Sequence, residues 1–193
     1  MRTRRQALLL SGVAALCHAE ITWAQTAPAS PSAQQRWQRL RPFLGNPRLV
    51  GEDKFTYWGF EVYHASLWAG SNPLTPAQWQ TQRLALELRY LRDFAGKDIA
   101  QRSVDEMHAQ SPLPSDKAQS WLKQLNSIFP NIKKGDSLTG IYLPEQGAHF
   151  LYDNQSVGEI KDTELAQRFF GIWLAPQTSA PKLRQRLFAD ATP

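Results

Sequence analysis

The sequence predicts an α+β fold in which a large antiparallel sheet carries helices packed on one face. Three observations lead there. Strand-like segments come in groups, over 48–69 with 84–91 and over 137–160, while helical periods come in groups over 98–129 and 162–188. No regular β-α-β alternation, the mark of a parallel sheet, links them. Two of the turns between strand segments, Pro144-Glu145-Gln146-Gly147 and Asp153-Asn154-Gln155, are of the short polar kind that joins antiparallel neighbours.

The elements follow in order. Residues 48–53 and 54–58 are short and β-prone, and Phe60 to Ala69 alternates, with Phe60, Val62, His64, Ser66 and Trp68 on one side and Glu61, Tyr63, Ala65 and Leu67 on the other. After a loop marked by Pro73 and Pro76, Leu84, Leu86, Leu88 and Tyr90 alternate with Ala85, Glu87, Arg89 and Leu91. The period then changes to helical: Ile99, Ser103 and Met107 share a stripe, and Ser115 is placed to cap a second helix that Pro130 ends. Three strands over 137–143, 148–153 and 156–160 make a meander. Asp162 caps an apolar helix containing Leu165, Phe169, Ile172 and Trp173, and Ser179 with Pro181 opens a last basic helix.

The chain has 193 residues, 42% hydrophobic and 20% charged, which suits one globular domain with some excess. The excess is N-terminal. Arg2, Arg4 and Arg5 precede an apolar run from Ala7 to Leu16, and Thr22-Trp23-Ala24 offers small residues for cleavage, so residues 1–24 are expected to be an export signal directing the protein to the periplasm. The apolar run is about half the length a membrane span requires, so no stable span is expected after cleavage. Arg4-Arg5 resembles a twin-arginine signal, which leaves the route open; an uncleaved membrane anchor is the alternative to cleavage, and a lipoprotein anchor on Cys17 a minor further reading. Residues 25–41 are expected to be a disordered tether and lead-in, rich in Ala, Pro, Ser, Thr and Gln, followed by a domain over 42–190.

Cys17 is the sole cysteine, so the domain must hold without a disulfide. Residues 1–24 contribute three Arg and one Glu, a net +2, leaving +3 of the chain's +5. No Lys/Arg run is interleaved with aromatics on one face, so nucleic-acid binding finds no support. His64, His108 and His149 have no partner at metal-ligand spacing. Glycine-rich phosphate loops, nucleophile elbows and other cofactor motifs are also missing, and no cofactor is expected. Glu106 and His108 would supply an acid and a base, but so close together on a helix they diverge, and Glu106 reads as solvated. Trp58, Tyr63, Trp68, Tyr90, Phe169, Phe170 and Trp173 are many aromatics for one domain, enough either to line an apolar cleft or simply to fill a core.

The segment Gly59-Phe60-Glu61-Val62-Tyr63-His64-Ala65-Ser66-Leu67-Trp68 resembles a strand of the bacterial chalcone-isomerase-like family. Phe129-Pro130 with Gly135-Asp136, and Phe169-Phe170-Gly171-Ile172-Trp173-Leu174 with Thr178-Ser179-Ala180-Pro181, agree with that family in order. The resemblance implies an open-faced β-sandwich. Plant enzymes of the fold use a strand arginine and a threonine to close a flavanone ring; here Gly51 and Tyr63 stand near those positions, which implies a non-catalytic member. Related members bind fatty acids with a basic residue and a tyrosine, which implies a small apolar ligand held by Tyr63 and Lys54. An isomerase or intramolecular lyase of unknown substrate, and an envelope interaction module with an unidentified protein partner, are the alternatives.

Overall fold

The computed structural model describes residues 32–191, so the expected signal and the start of the tether lie outside the described residues. Six strands form one antiparallel sheet, each paired with the next in sequence: β1 (Arg48–Tyr57), β2 (Phe60–Ala69), β3 (Leu84–Tyr90), β4 (Ser137–Leu143), β5 (Gly147–Tyr152) and β6 (Gln155–Ile160). The two short strands expected before residue 59 are a single strand, bent by register shifts at Leu49/Gly51 and Phe55/Thr56. Four helices, α2 (Gly96–Gln110), α3 (Ser115–Ile128), α4 (Thr163–Leu174) and α5 (Pro181–Leu187), pack on one face, as the α+β expectation requires.

Alternation puts Tyr63, Ala65 and Leu67 of β2 and Leu84, Leu86, Leu88 and Tyr90 of β3 on the inner face, all buried with Leu165, Phe169 and Phe170 of α4 in one core. Asp162 caps α4 as expected, its carboxylate accepting from the Leu165 N–H at 3.0 Å. Ser115 is instead the first residue of α3, behind Pro114, and the Ser179 hydroxyl before α5 is turned elsewhere. Helix α5 lies across β1 so closely that a Cβ on Gly51 would stand 2.2 Å from the Arg186 carbonyl oxygen. The Asp190 backbone N–H, just beyond α5, donates to the Val50 carbonyl of the same strand at 2.9 Å.

The lead-in differs from its expectation. Residues 33–41, read as part of a disordered tether, belong to a helix, α1 (Ala33–Leu44), and this helix lies on the sheet's other face. Ser32 and Gln35 make a reciprocal capping box. Leu40 and Leu44 then bury against Trp68, Ala85, Ile141 and Leu151, which point away from the main core. The guanidinium of Arg39 donates to Glu87 on β3 at 3.0 Å. A low-complexity lead-in still orders when a sheet face supplies its apolar partner.

Between β1 and β2 the chain reverses through Trp58 and Gly59, both at positive φ, 51° and 80°. That is the pattern of two-residue hairpin turns, which favour Asn-Gly. A bulky side chain in the left-handed region costs about 1–2 kcal/mol, and Trp58 recovers none of it by burial, being 85% exposed. Replacing Trp58→Asn is therefore expected to raise stability by about 1 kcal/mol, measured as a higher urea midpoint at unchanged slope.

Candidate functional site

At the end of the sheet that carries this hairpin, the inner face and the helices do not meet completely. A cavity of about 370 Å³ remains between β1–β4, α2 and α4. Its walls are Phe55 and Val62 near the hairpin, Leu88 and Tyr90 of β3, Leu138 of β4, Ile99 of α2, and Phe169, Ile172 and Trp173 of α4. Ser103, Ser179 and Ala180 also line it, small residues at points where larger ones would close the space. The rings hold one another in place: Phe55 stacks on Tyr63 at 5.1 Å, Tyr63 meets Tyr90 edge-on at 5.8 Å, and Phe169 meets Trp173 at 5.4 Å.

Polar groups are few and placed. The Trp173 indole N–H donates to the Tyr63 hydroxyl at 2.8 Å, both groups being buried. The Tyr63 proton itself finds no protein acceptor among the described residues, so it is available to an oxygen in the cavity. Burial drives the Tyr63 phenol well above its usual value, the Trp173 N–H opposing and the Glu106 carboxylate adding to the shift. Burial likewise raises Tyr90, with Tyr63 adding to it. Both phenols are therefore neutral donors.

Glu106, expected to be solvated, is only 9% exposed and faces the cavity. It is held by the Arg102 guanidinium one turn earlier and by the Ser179 hydroxyl at 2.8 Å. Its neighbour in the sequence reading, His108, is exposed, and its Nδ1 accepts from the Leu113 N–H at 3.1 Å, away from Glu106's partners. Two arginines form the rim. Arg92, just after β3, lies over Phe60 at 5.5 Å and Phe94 at 6.0 Å, and Arg102 lies over Tyr57 at 5.5 Å. Arg92 makes no ion pair among the described residues.

Of the two residues expected to bind a ligand, the cavity contains Tyr63 and excludes Lys54. Neighbours along a strand point to opposite faces. With Phe55 turned inwards onto Tyr63, Lys54 is turned outwards, where its ammonium pairs with Glu61. There it borders a polar groove of about 420 Å³ with Arg36, His64, Glu87 and Arg89. The aromatics divide in the same way: Tyr63, Tyr90, Phe169 and Trp173 line the cavity, Phe170 is core, Trp68 is covered by α1, and Trp58 is in solvent. Gly51, which the resemblance sets near the arginine position of the plant enzymes, has no room for a side chain under α5. His149 sits on the outer face at 3.3 Å from Glu159. Among the described residues, no group of three or more His, Cys, Asp or Glu side chains is arranged to hold a metal ion.

Comparison with known proteins gives three findings. The model of a family described as chalcone isomerase-like matches residues 55–189. An uncharacterized protein of Haemophilus influenzae is 30% identical over 138 residues, 72% of this chain, and the chain spans 66% of that relative's length. A crystal structure of a fatty-acid binding protein of Arabidopsis thaliana superposes with a TM-score of 0.54 at 14% identity, over 75% of this chain and 87% of that one, which establishes a shared fold.

Two measurements check the polar arrangement. Tyr63→Phe removes the acceptor of the Trp173 N–H and is expected to lower stability by about 1–2 kcal/mol, seen in urea unfolding. A phenol raised in the folded state ionises first in the unfolded chain, so its stabilisation is complete below pH 10 and is lost as pH rises towards the folded value. Stability should accordingly be flat to about pH 9 and then fall by about 1.4 kcal/mol per pH unit for each of Tyr63 and Tyr90. Tyr152, pushed up to about 12 chiefly by its hydrogen bond to Asp136, adds to the fall. Tyr90→Phe should flatten the slope by one tyrosine's share.

Proposed function

We propose that this chain, which belongs to the chalcone isomerase-like family, is a non-catalytic binding protein that holds a long-chain carboxylate such as a fatty acid in the cavity between sheet and helices. The observation that carries this reading is the cavity's division of labour, an apolar interior of about 370 Å³ with its cations confined to the mouth. That volume lies at the small end of the roughly 300–1,000 Å³ typical of small-molecule sites. An acyl chain along Leu88, Leu138, Phe169 and Ile172 gains the burial energy of its methylenes, about 0.8 kcal/mol each. Its carboxylate remains at the rim, where Arg92 makes no ion pair among the described residues and Arg102 is shared with Glu106, while Asp98 is a further carboxylate of the lining.

The Tyr63 hydroxyl, neutral and anchored by Trp173, offers a donor to a polar group carried along the chain. The likeness to a protein named as a fatty-acid binder supports the choice of ligand class. The basic, apolar and small-residue run over 1–24 supports export to the periplasm.

Extraction of the protein with organic solvent, followed by mass spectrometry of the extract and titration of palmitate into the emptied protein, tests the reading. Wild type is expected to release acyl-sized carboxylates and to rebind palmitate. Arg92→Gln should weaken palmitate by about tenfold and leave hexadecanol, which lacks the charge, within twofold. An empty extract and no palmitate binding would refute the proposal; equal losses for acid and alcohol would remove Arg92 from the site.

A further inference from the structure

Trp58 does nothing for the fold. It is 85% exposed, it occupies a backbone position suited to Asn, and among the described residues its ring meets the Tyr57 ring alone, at 6.2 Å. Tyr57 and Phe60 beside it are 50% and 64% exposed, so the tip of the β1–β2 hairpin is an aromatic projection into solvent. A strained residue that repays nothing in packing points to a role outside the folded chain. The projection is not isolated: Tyr57 and Phe60 are also walls of the cavity, so the patch and the cavity mouth are continuous.

The charges around the tip select among partners. Arg92 lies over Phe60 and Arg102 over Tyr57. Lys134, exposed at the turn before β4, donates its backbone N–H at 2.9 Å to Asp93, the residue that follows Arg92. Lys54 pairs with Glu61 and Lys133 with Asp93, while Arg92 and Lys134 carry no ion pair among the described residues. Tryptophan and tyrosine favour the zone between lipid headgroups and acyl chains, and arginine and lysine beside them attract anionic headgroups. A second copy of the chain fits less well. Three aromatics of roughly 150–250 Å² each, only partly exposed, fall short of the roughly 800 Å² per partner in a stable interface.

We infer that the hairpin tip is a docking surface for an anionic phospholipid bilayer, with Trp58 entering the interface and Arg92 and Lys134 meeting the phosphates. In that pose the mouth opens onto the bilayer, and an acyl chain moves between membrane and cavity without crossing water. Docking goes beyond ligand binding and does not require it, because adsorption is measured on ligand-free protein.

The experiment is co-sedimentation of ligand-free protein with vesicles of phosphatidylglycerol and phosphatidylethanolamine, against vesicles of phosphatidylcholine alone, with tryptophan emission recorded on the same samples. Wild type should sediment with the anionic vesicles only, with blue-shifted emission and with binding that falls as salt rises. Trp58→Asn should weaken partitioning by at least about tenfold, as expected from denying one large aromatic to the interface. The same variant should melt no lower than wild type and bind palmitate in solution within twofold of it. Lys134→Glu should weaken adsorption and blunt its salt dependence. Failure of wild type to sediment, equal sedimentation of Trp58→Asn, or a Trp58-dependent dimer by light scattering without vesicles would overturn the docking surface. Loss of palmitate binding with adsorption intact would overturn the ligand assignment instead.

Discussion

Successive side chains of a strand face opposite ways, and along β2 this sends Tyr63, Ala65 and Leu67 towards the helices while His64, Ser66 and Trp68 face outwards. The same parity holds across β3 and β4, where Leu88 and Leu138 are partners on the inner face and Arg89 and Ser137 the next pair on the outer. Two unlike compartments result. The inner one is largely apolar and aromatic, the outer one charged, and no side chain of the sheet can serve both. Lys54 illustrates the constraint: it is one residue from Phe55, yet the thickness of a β-sheet separates it from the ring that Phe55 stacks on.

The outer compartment depends on α1. Arg39 and Arg36 reach down to the nearly buried Glu87 at 3.0 and 3.7 Å. Nearby, the Arg36 and Arg39 Nε and the Ser137 and Thr139 hydroxyl oxygens are buried without partners among the described residues. Such groups are satisfied by bound water where a polar space adjoins them, and Arg36 borders such a space, the groove it shares with Ser66 and Glu87. A buried ion pair of this kind fixes how a helix sits more than it adds stability.

The sheet and its inner face were legible because strand period and turn chemistry are local, as in the Leu84-to-Tyr90 alternation and the Asp162 cap. Tyr63 was singled out through the family resemblance, and the alternation along β2 turns it to the inner face where the cavity lies. The first helix was missed because its burial partners, Trp68 and Ile141, belong to strands far along the chain, while its own composition resembles a linker. Glu106 was misjudged because its environment depends on Ser179, 73 residues later, and on Arg102, whose pairing at i, i+4 was the one local signal available. Arg92 follows β3 in a turn with no periodicity, so only its position over Phe60 and Phe94 reveals it. The cavity itself is an incomplete fit between helices and sheet, and a sequence does not record such a fit.

The hydrogen bond from Asp190 to Val50, together with the passage of α5 over Gly51, bears on the sheet's exposed margin. An outermost strand is a template on which another chain can extend the sheet, and natural proteins blunt that template with bulges or coverings. Here β1 has both: a register shift beside Val50, and a carbonyl already taken by the chain's own last turn. The C-terminal segment thus acts as a stopper on that part of the edge, and a chain clipped before residue 181 would lose this guard against edge-to-edge growth along with α5.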